Sequence, residues 1–427
     1  MPALGSTKPF TVENVSILDS SIPVDIDVAR GIVVDIRQAA SKAATGLVAV
    51  PGLVDLHTHL REPGNDRAET IASGTRAAAA GGYTDVFAMA NTNPVTDSVE
   101  RVIDMRARSA KASARVHPVA AATVGLMGEK LVDVSSLRAA DVQMFSDDGH
   151  CVNDDGIVFD LLTALASSGG MFAQHAQSQR IVGNGVINDR VSSDIGCAGW
   201  PAAGEEAIVA RDIAIARATG GWLHVCHVST KRTVDLIRWA KSVGAPVSAE
   251  VTPHHLVLTD EEALRQGPAL KVNPPLRSAD DVYAVREALR DGTIDVIATD
   301  HAPHPSDSKS KSWAEAAFGL TGIETALPIA VGVFTDRVTG QVDWVRLVAA
   351  MSTMPARLGG ISSNAGIPIA VGAPATFCVV QAGGPWRVNA EQQFSKSSNA
   401  SFDGHLVSHR VALTVLAGCV THVLSAT

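Results

Sequence analysis

The stretch Asp55-Leu56-His57-Thr58-His59-Leu60-Arg61 carries three chemically competent side chains at a spacing of two. On an extended strand such residues face the same side, so two imidazoles and a guanidinium open onto one pocket. Neutral imidazole is a good zinc ligand, and a guanidinium is the natural partner of a carboxylate. A lone histidine is most often a core or surface residue. Here others follow: His175 closes MFAQH, His227 closes WLHVCH and Asp300 closes DVIATD, each a strand-like segment. Asp147 and Asp148 follow DVQMFS. Neighbours on an extended chain point to opposite sides, so one of this pair is expected to reach a metal. A carboxylate bridging two cations, and a second that holds one cation and moves protons, complete a binuclear hydrolase site. Two cations sharing a hydroxide create a nucleophile at neutral pH and polarise an amide carbonyl. By the same alternation Cys226, beside His227, points away from the pocket and is read as inert packing.

These residues need a frame that gathers strand ends. From residue 52 to about 357, strand-like segments alternate with helical ones: GLVDLH, YTDVFAM, ARVHPVA, DVQMFS, MFAQH, WLHVCH, PVSAEV and DVIATD. Between them lie helical patterns such as EEAIVARDIAIARATGG and DDVYAVREALRDG, several ending in glycine, the usual left-handed stop. Eight β–α units over this length fit a (β/α)8 TIM-like barrel, whose chemistry sits at the C-terminal strand ends. An open doubly wound sheet is the competing arrangement. Residues 1–51 and 358–427 read as short alternating strands and turns, and both termini are expected to pair into one small β-sandwich domain beside the 52–357 barrel.

Composition narrows the setting. Of 427 residues, 46% are hydrophobic and 19% charged, the balance of a soluble globular chain. The net charge of −9 is spread along the chain without a basic stripe, which speaks against a nucleic-acid or anionic-membrane surface. No apolar run is long enough to span a membrane, and MPALGSTKPFTVENV lacks the pattern of a signal peptide. Five cysteines without paired short spacing offer neither a disulfide framework nor a CxxC knuckle, so a cytoplasmic location is expected.

The stretches PGLVDLHTHLREPG, MANTNP, FSDDG, LHVCHVST, EVTPHHL, KVNPPLR, ATDHAPH and FGLTGIE, in this order and followed by FSKSSNASFDG, resemble type I dihydroorotases of the amidohydrolase superfamily. The resemblance covers most of the chain, and the arginine of HxHxR sets it apart from allantoinases and hydantoinases. It implies two zinc ions per subunit, His57 and His59 holding one and His175 and His227 the other. Asp148 would bridge them, and Asp300 would ligate the first and act as general base and acid. Arg61, Asn91 and His304, with His59 beside them, would grip the substrate carboxylate. Asn273 and the Phe318–Gly319 backbone would contact the ring. The implied reaction interconverts N-carbamoyl-L-aspartate and L-dihydroorotate. A homodimer and docking to aspartate carbamoyltransferase are the partners the family implies.

Departures from the family pattern carry expectations of their own. Many relatives bridge their metals with a carboxylated lysine on the fourth strand, where this chain has Gln143, so the bridge falls to Asp148. After His175 the family often reads Cys-Glu-Asp; here Ala176-Gln177-Ser178 make that surrounding less acidic. Asn91 and Asn273 also stand in NTNP and NPP contexts, where asparagine commonly forms turns. His254 and His255 are read as orienting residues or as plain structure. The polar stretch from Pro303 to Gly319 is read as a lid. The rival readings are an allantoinase- or hydantoinase-like hydrolase, and a silent or partner-dependent relative.

Overall fold

The computed structural model describes residues 5–41 and 45–424; parts of the expected small β-domain, residues 1–4, 42–44 and 425–427, lie outside the described residues. The chain opens with β1 (Phe10–Ile17), β2 (Val24–Ala29), β3 (Ile32–Gln38) and β4 (Leu47–Pro51). Then β5 (Leu53–Thr58), β6 (Tyr83–Ala88), β7 (Arg115–Pro118), β8 (Met144–Phe145) and β9 (Met171–Gln174) alternate with helices. A short parallel pair, β10 (Ile187–Asn188) and β11 (Gly199–Trp200), interrupts the series. It resumes with β12 (Trp222–Val225), β13 (Val247–Val251) and β14 (Val296–Ile297). The chain ends with β15 (Phe377–Gln381), β16 (Trp386–Arg387), β17 (Leu406–Val407), β18 (Arg410–Leu416) and β19 (Cys419–Val423).

The middle strands are buried on both faces: every residue of β5, β6, β9 and β13 is inaccessible. That is why they read as continuous apolar runs, as parallel strands under helices do. Among the described residues they form two parallel sheets, β5-β6-β7 and β14-β13-β12-β9-β8. Single parallel bridges join the sheets at both edges, Ala120 to Phe145 and Thr58 to His301. Successive residues divide between two cores. Val54, Leu56, Phe87, Met89, Met171 and Ala173 pack together in one layer. Leu53, Val86, Phe172 and Val225 pack outward with helix residues. The helix Lys231–Ser242 illustrates the outer layer. Thr230 Oγ1 caps its first turn, accepting from Thr233 N at 3.1 Å, and the stripe Val234, Ile237, Ala240 is buried. Each large apolar side chain so buried contributes about 1.5–3 kcal/mol. The helices Ala203–Thr219 and Ala279–Asp291 do end on left-handed glycines, Gly220 and Gly292.

Both chain ends enter one sheet of order β19-β18-β15-β4-β1-β2-β3. β1 is shared: Phe10–Val15 pair with β2, while Ser16 and Ile17 pair with β4. Alternation along β15 ties the sheet to the rest. Phe377 and Val379 join the apolar cluster of Val12, Ile26 and Leu413, whereas Cys378 and Val380 pack into the large core.

Three middle strands are shorter than their apolar runs predict, for a backbone reason. DVQMFS pairs only over Met144–Phe145, and Asp141 stands at φ 62°. DVIATD pairs only over Val296–Ile297, and Asp300 stands at φ 44°. ARVHPVA narrows to Arg115–Pro118, ending at the proline that lacks an N–H.

Candidate active site at the strand ends

β5 delivers His57 and, just past its end, His59 and Arg61. β9 delivers His175, β12 His227 and β14 Asp300. Three of these residues leave the strand conformation at positive φ: Arg61 at 61°, His227 at 34° and Asp300 at 44°. Non-glycine residues in that region cost of order 1–3 kcal/mol each and cluster at functional sites.

His57 is the centre of the arrangement. Its Nε2 lies 3.3 Å from Asp148 Oδ1 and 3.5 Å from Asp300 Oδ1, yet it is buried without a partner in hydrogen-bond geometry. His59 Nε2 is 3.1 Å from Asp300 Oδ1 and 3.2 Å from Asp148 Oδ2. On the other side His175 Nδ1 is 2.9 Å from His227 Nε2 and 3.3 Å from Asp148 Oδ1. Asp148 thus reaches both histidine pairs. Among the described residues three groups of side chains sit close enough to hold an ion: His57, His59 and Asp300; His57, Asp148 and His227; and His57, Cys226 and Glu250. A buried imidazole nitrogen with no acceptor or donor, surrounded by ionised carboxylates, is what a cation site requires, and these residues fit one.

The electrostatics agree. Burial opposes charge on His57, but Asp148, Glu250 and Asp300 outweigh it and hold its pKa well above the ordinary value. Burial alone would raise Asp148; His57, with hydrogen bonds from His175 and His227, holds it well below the usual range. Burial likewise opposes ionisation of Asp300, and His57 and His59 bring it down to about 2. Both carboxylates are therefore charged at neutral pH.

Alternation predicts that one of the two neighbouring aspartates turns away, and it is Asp147 that does: it accepts from Ala122 N at 2.8 Å and Thr123 N at 2.9 Å. Gln143 lies outside the site, bonded to Arg138 and Asp141. Cys226 departs from the alternation argument. Its sulfur lies beside His57 and Glu250 and it packs in the inner layer beneath the site, because His227 at φ 34° breaks the two-residue repeat. Burial pushes its thiol far up, so it stays protonated.

The remaining candidates line a cleft of about 200 Å³ together with His59, Asp148, His175, His227 and Asp300, while His57 lies beneath it. Arg61 faces His304 across the cleft, Nη2 to Nε2 at 3.4 Å, and its Nε donates to Pro303 O at 3.2 Å. Asn91 Oδ1 accepts from His59 Nδ1 at 2.9 Å, and its Nδ2 donates to Asp148 O at 3.2 Å. Asn273 Nδ2 donates to Gln177 Oε1 at 2.9 Å. Phe318 and Gly319 form one wall. Gly319 must be glycine: at φ 133° a Cβ would lie 2.8 Å from His304 Nε2. The stretch read as a lid carries a short helix, Ser306–Lys309, and is latched. Lys309 Nζ donates to the carbonyls of Lys271, Ala317 and Gly319 at 2.8–3.0 Å.

The sequence pattern did not point to the residues that orient the candidate ligands. Glu250 accepts from His57 Nδ1 at 2.6 Å and from His224 Nε2 at 3.1 Å. The signal was an acid inside the buried strand PVSAEV. Gln177 is 2.8 Å from His175 Nε2, so the less acidic surrounding noted in Ala176-Gln177-Ser178 is a direct contact. Asp55 ties β5 to the end of β14 through Thr299 N and Oγ1 at 2.9 and 2.5 Å. His255 is structural, bonded to Thr252 and Pro274 O.

A family model described as Dihydro-orotase-like matches residues 46–233. The chain is 47% identical to a dihydroorotase of Streptomyces coelicolor, over 88% of this chain and 89% of that one. It is 44% identical to a dihydroorotase of Leifsonia xyli subsp. xyli, over 97% and 96%. Among solved structures, L-hydantoinase from Arthrobacter aurescens matches with a TM-score of 0.82 at 26% identity, over 96% of this chain and 95% of that one. A D-hydantoinase at 20% identity and the same TM-score shares the fold. Identity of this extent, running through the strands that carry the histidines, aspartates and Arg61, shows that the chain belongs to the dihydroorotase family.

Proposed function

We infer that this dihydroorotase opens and closes the L-dihydroorotate ring in the strand-end cleft, exchanging it with N-carbamoyl-L-aspartate in pyrimidine synthesis. The observation that carries the reading is the pairing of a cation site with a carboxylate clamp: Arg61 faces His304 at 3.4 Å, in the cleft that also holds His59 and Asp300. His57, His59 and Asp300 would hold one zinc ion, His175 and His227 a second, with Asp148 between them. Zinc bound there supplies Lewis-acid polarisation of the ring carbonyl and acidifies water. Arg61, His304 and Asn91 bind the substrate carboxylate, and Asn273 with the Phe318–Gly319 wall orients the ring. In the hydrolytic direction Asp300, ionised at neutral pH, takes a proton from the attacking water. It then returns that proton to the ring nitrogen as the C–N bond breaks; synthesis is the reverse.

The same reading extends to the frame. The eight parallel strands are taken as one closed (β/α)8 barrel over residues 52–357, supported by the bridges at both sheet edges. Residues 1–51 and 358–427 are taken as a small sandwich, a reading supported by strands from both chain ends pairing in one sheet and by β1 dividing its pairing between β2 and β4. The family subgroup is taken as type I. The cysteines are free, which suits a reducing cytoplasm. A substrate panel tests the function: turnover of dihydroorotate far above that of hydantoin or allantoin supports it, and preference for either of those rings overturns it.

A further inference from the structure

Asn399 belongs to the C-terminal segment, yet its side chain lies between the two backbone segments that wall the cleft. Its Nδ2 donates to Ala302 O at 3.2 Å and to Gly319 O at 3.1 Å. Its Oδ1 accepts from His304 N at 3.2 Å. One amide therefore spends its donors and its acceptor on backbone groups of three cleft-lining residues. Its own backbone is fixed too: Thr321 N donates to Asn399 O at 3.0 Å, and Ala400 bridges Thr321.

The segment leading to it is pinned by two carboxylates. Glu324 accepts from Phe394 N at 2.9 Å and Ser395 N at 3.1 Å. Glu69, fully buried, accepts from Lys396 N at 3.2 Å and from the Ser395 hydroxyl. Ser397 Oγ donates to Ala68 O at 2.7 Å. The strap thus enters the cleft region from a rigid anchor, and Asn399 is its point of contact.

The Gly319 backbone is saturated by these contacts. Its carbonyl accepts from Asn399 and from Lys309 Nζ at 3.0 Å, and its N–H donates to Lys271 O at 3.1 Å. His304 lies against the Cα face of Gly319, where a Cβ would not fit. The spacing between the His304 side of the cleft and the Gly319 wall therefore depends on the amide that ties the two together.

We propose that Asn399 is a positioning residue for substrate recognition: it fixes His304 and Gly319 at the separation that grips the carboxylate-bearing ring. The proposal rests on the cleft binding dihydroorotate, as inferred above. It leaves Asp300 and the metal ligands untouched, so its effect falls on binding and not on proton transfer. The test uses the full-length, zinc-loaded enzyme with dihydroorotate as the probe, measuring kcat, KM, thermal midpoint and bound zinc. In Asn399→Ala, KM rises about tenfold or more, with kcat within about threefold of the parent and zinc content unchanged, the loss of two or three hydrogen bonds. Asn399→Asp keeps the acceptor for His304 N but loses the donors to Ala302 and Gly319. It is nearly isosteric, so it guards against a folding failure of the alanine variant, and its KM also rises. Unchanged KM in a folded, zinc-loaded Asp variant overturns the proposal, as does a fall in kcat at unchanged KM. A parent enzyme that fails to turn over dihydroorotate would instead overturn the reading of function on which it rests.

Discussion

Removing the Glu250 carboxylate should weaken metal binding without touching a ligand. Glu250 Oε1 sits 2.6 Å from His57 Nδ1, and Oε2 sits 3.1 Å from His224 Nε2. The carboxylate holds the His57 ring so that Nε2 faces Asp148 and Asp300. In Glu250→Gln one oxygen remains for Nδ1 of His57, while the amide turns its NH2 toward His224. The charge-assisted bond becomes a neutral one of roughly half the strength. Loss of such an orienting partner typically costs 10- to 100-fold in metal affinity, about 1.4–2.7 kcal/mol at 1.36 kcal/mol per decade. Glu250→Ala goes further, leaving two buried imidazole nitrogens unpaired, at about 1–3 kcal/mol each. The assay is zinc titration of metal-free protein against a competing chelator, with thermal midpoint recorded on the same samples. Burial alone would raise the Glu250 carboxyl, but His57 and His224 hold it below its ordinary range. Its folded pKa is depressed, so its contribution is present above the unfolded value and lost only as pH falls through the folded one. The gap between parent and Glu250→Gln should therefore persist at pH 5. Zinc affinity of a folded Glu250→Gln protein within twofold of the parent would rule out this role for Glu250.

Asp300→Asn should keep the fold and cut turnover by about 10²- to 10⁴-fold, the range of a general acid–base group; rates near the parent's would remove Asp300 from its role. Arg61→Ala should raise KM for dihydroorotate about a hundredfold, near 2.7 kcal/mol for a lost charge-assisted contact, and steady-state kinetics would show it. Away from the site, Asp85 accepts from Arg115 Nε at 2.8 Å and faces His117 Nε2 at 2.9 Å. Burial opposes its charge, but His117 and Arg115 bring its pKa below the ordinary value. Its stabilising effect is thus complete above about pH 4, the unfolded value, and fades as pH falls through the folded one. Asp85→Asn should lower stability at pH 7 by about 2 kcal/mol, with the difference shrinking in acid; a constant difference in denaturant midpoints down to pH 2 would contradict this.

Much of the site was legible because its residues ride on strands. The two-residue repeat predicted His57 and His59 on one side and separated Asp148 from Asp147, and strand ends marked His175, His227 and Asp300. The repeat failed where the backbone turns, at His227 and Asp300, which is why Cys226 sits beneath the site instead of away from it. What stayed hidden were partners distant in sequence. Glu250 meets His57 across 193 residues and Gln177 meets Asn273 across 96; no local pattern announces such pairs. In the fold, apolar runs located the eight middle strands but overran the ends of most, by three residues or more at ARVHPVA, DVQMFS and DVIATD. The pair β10–β11 carries too few residues to leave a periodic signal. The terminal strands were visible, but their order in one sheet is set by contacts between the two ends of the chain.

The most direct test is the rate of dihydroorotate ring opening by the purified protein, with bound zinc quantified on the same sample. The proposed chemistry predicts rapid turnover that falls when zinc is removed by chelation and returns when zinc is restored. Absence of turnover in protein fully loaded with zinc would contradict it.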